Sequence, residues 1–438
     1  MDSIYLPPIY SAFDPIAQSD ISIDPLGLTS VYEKLADRML PGMTVRMRRP
    51  RFLTIMAVGA FICAEYGPDV VAADGVTPPY LVFEWWVIEA YVRAGHLLAD
   101  SQQIPGFRKV SSARAAGRPV DAAAYLKTAS VFGFTGIFRR LARRAQVITE
   151  NDLLDESGQR LVRAWADEQD LRGFTGGEPG AGSTLRSELT KAVSEGLRTG
   201  RTGPRPGRFV EAIATHLDPS RPGRRERKIL GELINERAGH SEEVHFLTNA
   251  LTKRGAPLEY NDEAAFLRSL HSSAPGELGS TLAAIDLYEE FCRPLTDAFN
   301  WLRHLASQNA QHGVSAKEYL QQAPADRLTS RLRLAVDRMN QNELLVRLWS
   351  DSSEAFARLG ELRNSSALLP AVVAHHREVQ LNKPPDGKRP WIEESARGRL
   401  FIRAGYRLEE PPAEDLPYVH EYRCPTLSRF LADLGAFK

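Results

Sequence analysis

Gly177 to Thr184, GEPGAGST, has the spacing of the phosphate loop G-x-x-x-x-G-K-[ST], in which backbone amides cradle a nucleotide and a lysine reaches its outer phosphates. Ser183 stands at the lysine position, so that charge is missing. The preceding RAWADEQDLRGF reads as a helix where the motif needs a buried strand, and the stretch is expected to be a loop capping a helix that starts near Thr184. HSEEVH, His240 to His245, has the residue types of a metalloprotease helix. Histidines five residues apart lie about 140° apart around a helix, so they cannot grip one ion as an i, i+4 pair does. His240 is expected in a loop or cap, and His245 on a helix. His375 and His376 also lack a partner at ligand spacing, and there is no G-x-S-x-G elbow. The sequence assigns no catalytic residue, no metal ligand and no cofactor, and binding is favoured over catalysis.

The residues with chemistry to offer are basic. Arg46, Arg48, Arg49 and Arg51 stand directly before an apolar run from Phe52 to Ala64. Cations at a helix N-terminus oppose the macrodipole at about 0.3–1 kcal/mol each, so either internal acids or an outside anion must compensate. In IFRRLARRAQVI, Arg139, Arg140, Arg143 and Arg144 form two i, i+4 rows on one helical face, with no acid in that helix to relieve them. Gly196 to Lys228 holds nine basic residues, Arg224, Arg225, Arg227 and Lys228 among them, against three acids. KPPDGKRPW sets Lys388 and Arg389 beside Trp391, a pairing that suits base stacking or, more simply, a tryptophan packed under a proline turn. Such clusters are candidates for contact with the phosphate backbone of nucleic acid.

No global field accompanies them, because Lys+Arg and Asp+Glu both total 55. Three dispersed cysteines exclude a disulfide framework and a zinc ribbon, which fits a reducing cytoplasm. The N-terminus MDSIYLPPIYSAFDP lacks the charge and apolar pattern of a signal peptide. The longest apolar runs fall short of the roughly 20 residues a spanning helix needs, so no membrane partner is expected.

The elements that must position these residues are helical. LTSVYEKLADRML has helical spacing with Thr29 or Ser30 as N-cap, and Pro50 suits the start of the next helix. Glu89 and Arg93 are spaced for an ion pair on the long helix from Tyr80 to Asp100, and Gly133 with Gly136 marks a break. The helix around CRPL should be kinked or interrupted at Pro294. GRLFIRAGYRL alternates around Gly405 as a small hairpin does. The expected fold is mainly α and multi-helical, with a small β-hairpin near the C-terminus. Its divisions are a helical region over 1–150, a middle region with basic loops over 151–310, and a C-terminal region over 311–438.

DPLGLTSVYEKLADRMLPGMTVRMRRPRFLTIMAVGAF resembles the opening of an uncharacterised group of bacterial proteins, through Leu28, Leu35, Ala36, Pro41, Gly42, Arg48 and Arg51. The departures are Phe52 after the arginine and an apolar run richer in small residues. LYEEFCRPLTDAFNWL and AHHREVQLNKPPDGKRPW are similar to the group's later landmarks. The resemblance implies a helical protein encoded beside helicases and phospholipase-D-type nucleases in phage-defence-like gene clusters. It therefore implies a role in handling DNA or assembling a helicase–nuclease complex. The leading expectation is a non-enzymatic accessory subunit that binds DNA backbone and a partner helicase or nuclease. A pure protein-interaction scaffold and a metal-dependent nuclease or nucleotide-processing enzyme are the alternatives.

Overall fold

The computed structural model describes residues 24–95, 103–236, 241–349, 353–384, 386–413 and 416–437. Among them are nineteen α-helices and one two-stranded antiparallel sheet, as the mainly helical reading expects. In chain order they are α1 (Thr29–Met39), α2 (Phe52–Cys63), α3 (Pro79–Arg93), α4 (Phe107–Ala115), α5 (Ala129–Phe132), α6 (Phe134–Arg144) and α7 (Glu156–Glu168). There follow α8 (Ala181–Thr199), α9 (Gly207–His216), α10 (Arg224–Glu236), α11 (Ser241–Arg254), α12 (Glu263–Leu270) and α13 (Gly276–Gln308). The series closes with α14 (Ala316–Gln322), α15 (Ala325–Asn340), α16 (Glu343–Leu348), α17 (Ser353–Gly360), α18 (Leu368–Leu381), the strands β1 (Ile392–Glu394) and β2 (Leu400–Ile402), and α19 (Cys424–Asp433). No helix of the described residues is long and apolar enough to cross a membrane.

The chain forms two compact units, each drawn from separated stretches. The first takes its described residues from Asp24–Leu35 and Leu267–His420; the second takes them from Ala36–Phe266 and the segment from Glu421.

In the first unit α13 runs unbroken for 33 residues with Pro294 inside it, so of the kink or interruption expected there the interruption does not form. Its inward face, from Leu278 to Ala306, is buried against α15, α18 and the hairpin. The strands pair Ile392 with Ile402 and Glu394 with Leu400. The turn between them contains Gly398 at φ +69°, so the hairpin lies ahead of the one read from Gly405, which sits in a short turn at Ala404–Tyr406. The alternation in GRLFI marks the second strand only. Helix α1 is capped by the Asp24 carboxylate, which accepts the N–H groups of Leu28 and Thr29 at 2.9 Å each. Thr29 and Ser30 lie inside the helix instead. His376 joins distant segments: Nδ1 donates to the Pro25 carbonyl at 2.9 Å, and Nε2 accepts the Trp391 N–H at 2.9 Å. Burial pushes its pKa down to about 4, which keeps the ring neutral, and the Trp391 N–H on Nε2 places the single ring proton on Nδ1.

The second unit is built on α2, of which ten residues are buried, as befits a helix apolar on every face. Gly59 lets α3 approach, since a Cβ there would lie 2.8 Å from the Phe83 ring. Helix α3 starts at Pro79, where a missing N–H costs little, and ends at Arg93. The end read at Asp100 lies outside the described residues. The helix carries two buried carboxylates. Glu89, expected to pair with Arg93, turns inward and lies 3.6 Å from Arg114 of α4. Glu84 accepts the N–H groups of Phe134 at 2.9 Å and Thr135 at 3.1 Å, and the Tyr125 hydroxyl donates to it. It thus caps α6 from another helix, at the break predicted at Gly133. A Cβ on Gly133 would lie 2.1 Å from Glu84 Oε1, which is why glycine occupies that N-cap.

Candidate nucleic-acid interface

The arginines before α2 do not crowd its N-terminus. Arg51 is 1% exposed, with Nε 2.8 Å from Glu226 Oε1, Nη2 3.2 Å from the His216 carbonyl, and Nη1 donating to the Asp218 carbonyl. Arg49 pairs with Asp433 of α19. Arg46 is exposed and lies over the Phe132 ring, 4.6 Å from its centroid. Arg48 is exposed, in the field of Glu421 and Arg429.

The stripe on α6 divides into its two rows. The inner row, Arg139 and Arg143, meets Asp152 at 3.4 and 3.0 Å, and Arg143 also meets Glu150 at 3.0 Å. Asp152 adopts φ +60°, a conformation aspartate tolerates better than most residues, on the turn that brings it there. The outer row meets Asp37 of α1: Arg140 at 2.9 Å and Arg144 at 3.5 Å from Oδ2, while Arg423 lies 3.4 Å from Oδ1. The two outer arginines remain 58% and 40% exposed. The chain from Gly42 to Arg46 runs alongside them. Gly42, at φ +76°, lies where a Cβ would come within 2.9 Å of Arg144 and 3.2 Å of Leu141, and Arg46 reaches Phe132 just before α6. The two clusters, far apart in sequence, therefore adjoin.

Burial alone would raise the Asp37 carboxyl, but the Gly42 N–H and the charges of Arg140, Arg423 and Arg144 hold it below its ordinary 3.8. A depressed folded pKa contributes stability that is present above the unfolded value and lost as pH falls through the folded one. Asp37→Asn is expected to lower stability at neutral pH by on the order of 1–2 kcal/mol, discounted for the exposed partners. The gap from the wild type should close on acidification below about pH 4, as chemical denaturation at a series of pH values would record.

The third cluster lies at the start of α10. Arg224, Arg225, Arg227 and Lys228 are all exposed, and Arg225 lies 3.7 Å from Asp167. The anion at this helix end is internal, because Glu168 of α7 accepts the N–H groups of Arg225 at 2.6 Å and Glu226 at 3.0 Å. The fourth cluster belongs to the first unit. Trp391 is buried and stacks on Tyr406 at 4.2 Å and 6°, with the Arg303 guanidinium 5.5 Å from its ring. Arg389 pairs with Glu393, and Lys388 is half-buried. The packed tryptophan is the arrangement observed there.

Of the phosphate-loop stretch only Gly177–Gly180 is a loop. Ala181–Thr184 already forms the first turn of α8, which begins three residues ahead of the expected start near Thr184 and is closed by a hydrogen bond from the Gly180 N–H to Ser183 Oγ at 2.9 Å. His245 is exposed on α11, and His240 lies outside the described residues. A cavity of about 540 Å³ opens beside α2 and α3, lined by Met56, Gly59, Cys63, Tyr80, Phe83 and Leu153 among others. Burial, with Glu65 adding, pushes the Cys63 thiol up to about 12, so it stays protonated and is a poor nucleophile at neutral pH.

One group escapes any reading of the sequence alone. Glu289 and Cys292 stand one turn apart on α13, and the loop before α19 brings His420 to them. The i, i+3 spacing is legible in YEEFC, but the third residue is not.

No family model, no curated protein and no solved structure matches the chain.

Proposed function

We propose that the protein is a non-enzymatic accessory subunit of a bacterial antiphage system, contacting nucleic-acid backbone and a partner helicase or nuclease. The observation that supports the nucleic-acid half is the crowding at Asp37. Three guanidinium groups share that one carboxylate, and Arg46 stands exposed on the segment alongside. Positive charge is thus in local surplus on a chain with none overall. The phosphate-binding set is Arg46, Arg48, Arg140 and Arg144; Arg49, Arg51, Arg139 and Arg143 serve the fold and drop out of it. Arginine forks grip phosphate in pairs of hydrogen bonds, and interactions of this kind carry no base sequence. Arg224, Arg227 and Lys228 make a secondary patch of the same chemistry. The antiphage setting and the partner enzyme rest on the sequence resemblance, and the cytoplasmic location on the three dispersed cysteines.

Fluorescence anisotropy with duplex and single-stranded DNA over a salt series tests this. Binding should fall steeply with salt. Replacing all four arginines by alanine should flatten the log–log slope by up to about 3.6, because each neutralised phosphate on duplex DNA accounts for about 0.9 of it. Undetectable binding at low salt would leave the scaffold reading. That second reading is supported by the buried Arg51–Glu226 pair and the neutralised inner row, and it calls for a partner whose co-purification survives nuclease treatment.

A further inference from the structure

We propose that Glu289, Cys292 and His420 form a zinc site on α13, independent of the nucleic-acid reading. One ligand atom from each of the three lies within 4.8 Å of the others. Tetrahedral zinc with bonds of about 2.3 Å to sulfur and 2.0–2.1 Å to nitrogen holds those two donors about 3.6 Å apart, so side-chain adjustment of about an ångström closes the group on an ion. The donors arise in the right way. Residues three apart on a helix project from one face, so Glu289 and Cys292 present a carboxylate and a thiol to the same point. His420 Nδ1 already points there, 2.7 Å from Glu289 Oε1.

The surroundings hold the imidazole in place. It stacks on Tyr32 at 4.6 Å and 13°, and Tyr288 lies beyond at 6.1 Å and 17°. Glu289 Oε2 accepts the Val419 N–H, which fixes the carboxylate from behind as supporting hydrogen bonds do in metal sites. Glu289 and Cys292 are 1% and 0% exposed, while the His420 side chain at 14% gives the ion a way in.

Charge also balances. Zinc carries two positive charges, and a carboxylate with a thiolate carries two negative ones, so the loaded site is neutral in a buried setting. On binding, the S–H bond breaks, the S–Zn bond forms and the thiol proton leaves to solvent, while His420 carries its single imidazole proton on Nε2 so that Nδ1 is free to take the ion and the ring stays neutral. Three protein ligands leave the fourth tetrahedral position to water. The ion would clip the Tyr418–His420 segment to α13.

The untagged chain titrated with Co²⁺, then with Zn²⁺ in competition, tests the site. One equivalent of Co²⁺ should bind with a thiolate-to-metal charge-transfer band, and one equivalent of Zn²⁺ should erase it. Cys292→Ser should abolish the band and Cys63→Ser should keep it. His420→Gln, at a partly exposed position, should weaken Co²⁺ binding at least tenfold with unchanged circular dichroism. Absence of a thiolate band in the wild type, or a band that survives Cys292→Ser, would overturn the assignment.

Discussion

Arg51→Ala is expected to lower the stability of the second unit by about 3–5 kcal/mol, the usual cost of removing one partner of a buried ion pair. The reason is what remains behind. Glu226 is 0% exposed and would be left without its guanidinium partner, with only the Gly223 N–H still donating to it, at 3.2 Å. The carbonyls of His216 and Asp218 would each go short of one donor, keeping the Trp165 indole N–H and the Arg221 N–H respectively. Replacing both partners, Arg51→Met with Glu226→Leu, should recover most of the loss, because the uncompensated charge is then gone. Recovery should be incomplete, since both carbonyls still make one hydrogen bond fewer. Urea denaturation of wild type and the two variants measures this through midpoints at constant slope. A loss below about 1 kcal/mol for Arg51→Ala would mean that the pair behaves as a solvated surface bridge.

Glu84→Ala should rank second, at about 3 kcal/mol or more. Three donors converge on this carboxylate, the N–H groups of Phe134 and Thr135 and the Tyr125 hydroxyl, and each buried donor left unmade costs about 1–3 kcal/mol. Glu84→Gln should cost less, because one amide oxygen still accepts while the NH₂ faces a single N–H. Burial raises the Glu84 carboxyl, against the lowering by the hydrogen bonds from Tyr125, Thr135 and Phe134. Its linkage therefore has the sign opposite to that of Asp37. The contribution is fully present below the unfolded pKa and is lost as pH rises through the folded one. The gap between wild type and Glu84→Gln should widen on mild acidification, where that between wild type and Asp37→Asn narrows.

Local rules make much of the helical framework readable. The apolar run at Phe52, the break at Gly133 and the loop before α8 all express periodicity or backbone freedom within a few residues. The destinations of the charges are not readable, because their partners are far away along the chain. Arg51 finds Glu226 175 positions on, and Arg49 finds Asp433 384 positions on. The sequence poses the correct question at α2, whether the compensation is internal or external, and for Arg49 and Arg51 the answer is internal. On α6 the two-row pattern is legible, but the acids that divide the rows lie on α1 and in the turn after α6. Only β2 alternates visibly, so a reading by pattern places the hairpin too late, while β1 is fixed by pairing.

The threading of the second unit has a consequence during synthesis. Its last helix, α19, follows the whole stretch Leu267–His420 in the chain, yet Glu263 accepts the N–H groups of Tyr422 at 2.7 Å and Cys424 at 2.8 Å. Phe430 also stacks on Phe138 at 6.1 Å. At about 5–20 residues per second, a ribosome takes roughly 8–30 s to deliver α19 after Phe266. For that interval the nascent unit lacks the helix that covers Phe138 and occupies Glu263, and it exposes that apolar surface, the condition under which folding chains are prone to aggregate.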